Sequence, residues 1–274
     1  MKVKQIGILL MVVLLLIVVG VVVFTLAKNT NAISWKVVNY SDQSPIEGVE
    51  VFVTQNGSGI KRGRLVWGQY YSYQAVTDHE GVFRATGLAD DSVIIRVEKD
   101  GYIPTVGFYT PDEITTIKMK QVNPEYVALP SGVLQIGYQE EKPFGWVFAE
   151  QKTTFRQDEA DIFPTNTEHG VLLKSTGGIT FVSKNKIGVD QNMLVYTDTA
   201  PADGYSSSVV INTDSDAGVF FVKTKDEDYA KFSFDAQNYA VAGSDTTLEG
   251  NSWTLLLEYV FNPDGTRNVE YQSY

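Results

Sequence analysis

Two hydrophobic periods divide the chain. From Ile6 to Ala27 the sequence is uncharged and mostly Ile, Leu and Val, broken by Gly7, Gly20 and Thr25. At 1.5 Å per residue, a helix of about 20 residues crosses a hydrocarbon core of about 30 Å, so this run of 22 residues predicts a transmembrane helix over 6–27. A cleaved signal peptide ending near Ala27 or Ala32 is the competing reading, but its apolar region would span about 7–15 residues. Lys2, Lys4 and the terminal amine precede the run, and Lys28 follows it. The positive-inside bias then keeps residues 1–5 as a cytoplasmic tail, makes 28–32 a linker and sends residues 28–274 outside.

From residue 33 the period becomes two. Val49, Val51 and Val53 alternate with Glu50, Phe52 and Thr54, and Val93, Ile95 and Val97 alternate with Ile94, Arg96 and Glu98. Strands with one face on a core have this pattern. Ser34–Val38 predicts an earlier strand, followed by the turn-rich stretch Tyr40–Pro45. Asn56-Gly57-Ser58-Gly59 predicts a turn or loop. Gln74–Thr77, the turn Asp78-His79-Glu80-Gly81 and Val82–Arg84 predict a hairpin whose glycine takes a positive φ. Short strands without an amphipathic helix predict a β-sandwich over 33–122.

Gln121-Val122-Asn123-Pro124 predicts a joint, because proline cannot continue a central ladder. The remainder, 123–274, suits one further domain. Apolar bursts predict strands at Val133–Tyr138, Phe144–Phe148, Gly170–Leu173, Ile179–Val182, Met193–Tyr196 and Ser208–Ile211. A hairpin is predicted from Val219–Thr224 through Lys225-Asp226-Glu227-Asp228 into Tyr229–Phe234. In its second arm Ala230, Phe232 and Phe234 share one face, and Tyr229, Lys231 and Ser233 the other. A long strand, Trp253–Phe261, meets the turn Asn262-Pro263-Asp264-Gly265, with Val269–Tyr271 expected to pair back. The expected fold is a second antiparallel β-sandwich or partly closed barrel, so the whole ectodomain is expected to be all-β.

Three short motifs in the first domain carry a resemblance. They are Pro45-Ile46-Glu47-Gly48-Val49-Glu50-Val51, then Thr77-Asp78-His79-Glu80-Gly81-Val82-Phe83, then Val97-Glu98-Lys99-Asp100-Gly101-Tyr102. In this order they resemble the carboxypeptidase regulatory-like (transthyretin- or prealbumin-like) domain. The resemblance implies a seven-stranded Greek-key sandwich over 33–122 with no activity of its own. The stretch Ile60–Tyr73 departs from the pattern, with Lys61-Arg62-Gly63-Arg64 and the aromatics Trp67, Tyr70, Tyr71 and Tyr73. It reads either as a binding lip or as an extended hairpin. The 123–274 domain resembles uncharacterised prokaryotic surface β-domains. Its hairpin is also similar to those of secreted haem-scavenging β-proteins, but haem there is held by histidines and this domain has only His169, so no haem site is carried across.

Charge sharpens the picture. The net charge of −11 lies wholly beyond residue 123, where 22 acidic side chains face 10 basic ones. Such a surface repels nucleic acid and anionic lipid heads, so no nucleic-acid partner is expected. With no cysteine there is no disulfide, thiolate metal site or thiol nucleophile.

Candidate chemistry is sparse. His79 lies in the predicted turn between two acids, and His169 follows Glu168 with no second histidine nearby. No G-x-S-x-G elbow surrounds any serine. Asn212-x-Asp214-x-Asp216-x-Gly218 has alternate oxygens like a calcium loop, but Ala217 and Lys223 stand where that loop needs Gly and Glu. Asp158-Glu159-Ala160-Asp161 and Asp226-Glu227-Asp228 read as acidic turns, the latter flanked by Lys225 and Lys231. No catalytic, cofactor-binding or metal residue is assigned and no cofactor is expected. The 15 Tyr and 4 Trp suit either sugar stacking or strand packing. The expectation is a non-enzymatic, single-pass surface protein that contacts an extracellular protein or glycan, its near-neutral sandwich next to the membrane and its acidic domain farther out. The alternative is a carbohydrate- or calcium-binding accessory module.

Overall fold

The computed structural model describes residues 33–61, 64–86, 88, 93–109, 116–167, 170–189, 193–212, 215–235, 240–242 and 252–272. The predicted membrane helix over 6–27 lies outside them. Among the described residues no helix is long and apolar enough to cross a membrane. The chain divides into two units, Met1–Gln121 and Val122–Tyr274, and their described residues are all-β apart from two single-turn helices in the second.

Among the described residues of the first unit there are seven strands: β1 (Ile33–Asn39), β2 (Glu50–Lys61), β3 (Arg64–Val76), β4 (Val82–Ala85), β5 (Val93–Glu98), β6 (Thr105–Tyr109) and β7 (Thr116–Met119). They form two sheets, ordered β3-β2-β5-β6 and β4-β1-β7. The β1–β7 pair is parallel, and the other ladders are antiparallel. The period-two valines do what alternation requires: Val51, Val53, Val93, Ile95 and Val97 are buried in one cluster with Trp35, Val37 and Phe83. Trp35 stacks on Phe83 at 5.3 Å between ring centroids.

Two local expectations change. Gln74–Thr77 and Val82–Arg84 do not form a hairpin, because β3 pairs with β2 and β4 pairs with β1. The intervening turn is a corner that carries the chain between sheets. Asp78 shapes it by accepting from the backbone N–H groups of Glu80 (3.0 Å) and Val82 (2.9 Å). Gly81 sits at φ +73, and a Cβ there would lie 2.5 Å from the Val37 carbonyl oxygen. Before the corner, the buried Thr77 Oγ1 accepts from Val49 N (2.9 Å) and donates to Ile46 O (2.7 Å). Nor is Asn56-Gly57-Ser58-Gly59 a turn. It lies within β2, where Gly57 pairs with Gln69 and Ser58 with Trp67, leaving Gly68 as the extra residue of a β-bulge. The predicted extended hairpin is therefore present in the backbone of β2 and β3. The side chains of the basic-aromatic stretch before Tyr73 lie outside the described residues.

The second unit contains β8 (Ser131–Gln139), β9 (Lys142–Val147), β10 (Lys152–Thr154), β11 (Ile162–Thr167) and β12 (Gly170–Ser183). A single-turn helix α1 (Lys184–Ile187) and a 3-10 helix (Met193–Tyr196) follow. Then come β13 (Ser206–Asn212), β14 (Ala217–Lys223), β15 (Tyr229–Asp235), β16 (Ala240–Ala242) and β17 (Trp253–Asn262). Pairing runs β9-β11-β12-β14-β15-β17-β8 and returns from β8 to β9, so seven strands close into a barrel. Closure removes the exposed edges that an open sheet would leave. The interior holds Leu134, Ile136, Phe148, Phe220, Phe232, Trp253 and Leu255, all buried. Phe220 and Phe232 stack at 5.1 Å, and Phe148 and Phe261 at 5.9 Å. The predicted alternation in β15 holds for the interior, where Ala230, Phe232 and Phe234 all lie.

Gly170–Leu173 and Ile179–Val182 are not two strands but the two ends of β12. Its first half pairs with β11 and β13, and its second half with β14 and, at Ile179, again with β13, the register shift in the β13 ladder lying between Lys174 and Ile179. Ser175 Oγ donates to Gly178 O and accepts from Gly178 N, both at 3.2 Å, which fixes the offset. Gly178 is at φ +127, and a Cβ on Gly177 would lie 2.2 Å from Thr224 O and 2.3 Å from Lys223 O. Glycine is needed here both for conformation and for close backbone approach.

Met193–Tyr196, expected as a strand, is the 3-10 helix, with all four residues buried. Consecutive apolar side chains with no polar alternate suit a short coil laid over a sheet better than a strand exposed on one face. Val269–Tyr271 does not pair back onto β17. That segment runs beside 198–200 instead, through Val269 N to Asp198 O and Ala200 N to Arg267 O, each 2.8 Å. Asn262, 1% exposed, holds the turn before it by donating through Nδ2 to Asn268 O at 2.6 Å. The two ends of the unit are clasped: Asn123 Nδ2 and Gln272 Nε2 donate to the two Glu270 carboxylate oxygens at 2.8 and 2.9 Å.

The bulge makes a specific demand on stability. Gly177→Ala is expected to cost about 1–3 kcal/mol, as overpacking against fixed backbone does. Gly132→Ala meets its nearest neighbour, Tyr259, at 3.5 Å and is expected to change stability little. Urea unfolding of both variants, followed by tryptophan fluorescence, checks the contrast.

Candidate functional site

The features singled out by sequence scatter rather than converge. His79 is exposed at the corner between sheets. Next to it, the Val82 N–H bond holds the Asp78 carboxyl below the ordinary carboxylate range, with the Glu80 N–H and the charges of His79 and Arg84 adding to the effect. His169 and Asp214 lie outside the described residues. Asp216 accepts from Asn212 N at 2.8 Å, which makes a turn ahead of β14. Among the described residues, no three His, Asp or Glu side chains gather where they could hold a metal ion.

The acidic tip between β14 and β15 is a tight turn. Thr224 N donates to Asp228 O (2.9 Å), and Asp228 N donates to Thr224 Oγ1 (3.1 Å). Burial raises the Asp228 carboxyl, and the like charges of Asp226 and Asp264 raise it further. Lys223 pairs with Glu227 at 3.1 Å, part of the local neutralisation. Lys231, which flanks the turn in sequence, is buried, at 0% exposed, and its ammonium donates to Leu194 O and Thr197 O, both at 2.6 Å. The cation thus stands at the C-terminal end of the 3-10 helix, where free carbonyls favour positive charge.

Asp161, read as part of an acidic surface turn, is 3% exposed. It accepts from Phe148 N at 2.8 Å. Burial pushes its carboxyl above the ordinary range, opposed by the Phe148 amide, the Lys225 charge and the Lys225 amide. Its neighbours Asp158 and Glu159 remain outside and pair with Arg156 at 2.9 and 2.8 Å.

One cleft, of about 230 Å³, opens on the outer face of the barrel beside the β12 bulge. Its floor is a row across three strands, because Phe163 of β11 lies opposite Lys174 of β12, which lies opposite Ser208 of β13. Ser207 and Thr176 add hydroxyls, and Gln157 and Ala160 from the β10–β11 loop form one wall. The remaining lining residue, Ser175, is engaged in the bulge. None of these residues was singled out from sequence. The available signals were the Gly177-Gly178 doublet, which marks a bulge inside a strand pattern, and the run Ser206-Ser207-Ser208 ahead of a strand.

No protein-family model matches the chain, and no curated protein sequence matches it. Solved structures that resemble it include three pilins. A streptococcal ancillary pilin aligns at 12% identity and TM-score 0.23, over 76% of this chain and 59% of that one. The full-length major pilin of Corynebacterium diphtheriae aligns at 8% and 0.26, over 89% and 54%. The minor pilin of Streptococcus agalactiae aligns at 13% and 0.23, over 81% and 90%. The chain thus spans little more than half the length of the first two, and scores this low carry no argument about its fold or task.

Two outcomes follow from the buried charges. Lys231→Met removes the cap on Leu194 O and Thr197 O and is expected to destabilise the second unit by on the order of 2–4 kcal/mol, read by urea unfolding. Because the folded pKa of Asp161 lies above its unfolded value, its contribution is fully present below the unfolded pKa and is lost as pH rises through the folded one. Asp161→Asn does not titrate, so its unfolding free energy should gain on the parent's as pH rises from acid through that window. Urea titrations at a series of pH values measure the difference.

Proposed function

We propose that the chain is a membrane-anchored, extracytoplasmic arm of two β-rich units, a non-catalytic surface protein that presents a contact face to an extracellular partner. The observation that carries this reading is the uncharged run Ile6–Ala27 behind Lys2 and Lys4, followed by more than two hundred residues outside any such run. The β-sandwich architecture of residues 33–121 supports it, as does the barrel that follows. The first unit is read as a carboxypeptidase regulatory-like sandwich, on the three ordered motifs. In that reading the acidic second unit is the contact-bearing part.

A second reading, a carbohydrate-binding accessory module, is favoured by one observation, the polar cleft beside the β12 bulge. The two readings are compatible, since the first concerns placement and the second concerns the ligand.

Placement is tested by fractionating cells that express the chain with a C-terminal tag. The tagged protein should sediment with membranes, resist alkaline carbonate, dissolve in detergent, and be digested by protease added outside. Quantitative release into the medium of a product that begins near residue 28 or 33 would overturn the anchor.

A further inference from the structure

We propose that the cleft beside the β12 bulge binds a single carboxylate-bearing sugar unit, a uronic acid, with Lys174 receiving the carboxylate. This deepens the second reading above. At about 230 Å³, the cleft lies below the about 300–1,000 Å³ of pockets that enclose drug-sized ligands, so it suits one small residue. Pockets for apolar ligands are lined mostly by hydrophobic and aromatic groups. Six of the eight residues around this one are polar, which fits a ligand covered in hydroxyls.

The polar groups are also unspent. Ser175 is committed to Gly178. By contrast, among the described residues the side chains of Lys174, Thr176, Ser207, Ser208 and Gln157 have no hydrogen bond or ion pair, although Lys174, flanked by Phe163 and Ser208 in the ladder, is half-buried. On the same unit Lys223 pairs with Glu227, Lys152 with Glu150 and Lys231 with the 3-10 carbonyls, and of the lysines left over Lys174 is the one that lines the cleft. Arg156, on the loop that also supplies Gln157, is taken up by Asp158 and Glu159. Lys174 is therefore a cation held over hydroxyl donors in a unit that is otherwise strongly acidic. A ligand with one negative charge and several hydroxyls matches it, while a polyanion would meet the surrounding acids.

The backbone explains why the groups converge. The register shift interrupts the β12–β13 ladder between Lys174–Ser208 and Ile179–Ser206, so Thr176 and Ser207 border a gap within the sheet. The ligand would occupy that gap, with its ring edge toward the apolar Phe163 and Ala160.

The test uses the full-length chain in nanodiscs, with glucuronate, glucose and acetate as probes, followed by saturation-transfer NMR and titration calorimetry. Saturable glucuronate binding near ~1 mM is expected, with glucose and acetate each at least about tenfold weaker, because each keeps only half of the contacts. Lys174→Gln and Ser208→Val should each weaken glucuronate binding about tenfold or more, while their melting temperatures stay at the parent's. Glucuronate binding no tighter than that of glucose or acetate, binding unchanged in Lys174→Gln, or no saturation by ~20 mM would overturn the proposal. Because binding is read on purified protein, any of these results leaves the fractionation outcome, and the reading it tests, untouched.

Discussion

β12 has to serve three ladders, and the Ser175–Gly178 bulge is the constraint that lets it. Over its fourteen residues it pairs with β11 as far as Ser175 and with β14 from Ile179, while β13 pairs on both sides of the bulge. Across the offset β11 gives way to β14, which pairs from Ile179 onward while β13 is regained at the same residue, and the circuit then runs through β15, β17 and β8 back to β9. Bulges bend strands and sharpen local twist, which a small closed barrel needs. The geometry rests on two reciprocal 3.2 Å bonds of one serine hydroxyl and on the missing side chain of Gly177. The same offset leaves the cleft at its side.

Closure of the barrel sets a second problem, which Lys231 answers. A strand in a closed sheet has an outer face, and that of β15 is covered by the buried 3-10 helix Met193–Tyr196 rather than left to solvent. A helix this short ends in carbonyls with no partner in the coil itself. Lys231 rises from the strand beneath and supplies its ammonium to Leu194 O and Thr197 O. The desolvation cost of the cation is offset by charge-assisted bonds, and the strand and its cover are locked in one register. With no cysteine to cross-link the chain, attachments of this kind and the aromatic core carry the whole of the stability.

Much of the fold was legible from periodicity. Val49, Val51 and Val53, the Val93–Val97 alternation and the inward face of β15 follow from the two-residue period, and the apolar bursts at Val133–Tyr138 and Trp253–Phe261 are strands. Local pattern fails where tertiary context decides. The turn at Asp78–Gly81 has a hairpin's residues, yet nothing local says that its two arms belong to different sheets. Gly57 and Gly59 look like punctuation but sit inside a ladder, because a glycine-rich bulge and a glycine-rich turn share a composition. Lys231 reads as a surface cation by type and position, and its burial depends on a helix 35 residues earlier in the chain. The cleft was illegible for the same reason: Phe163, Lys174 and Ser208 become neighbours through strand register, which leaves no trace in sequence spacing.

The clasp between Asn123, Glu270 and Gln272 has a mechanical meaning. Residues near the two ends of the second unit are held side by side, with Gln272 Nε2 also reaching Asn123 O at 3.4 Å. Tension applied between two such adjacent points passes through the clasp and bypasses the barrel ladders until the clasp opens. The barrel then behaves as a pendant loop of chain, shielded from load by a few side-chain hydrogen bonds. Those bonds act as a fuse: they yield first, and the hydrophobic core is strained only after the two ends have separated.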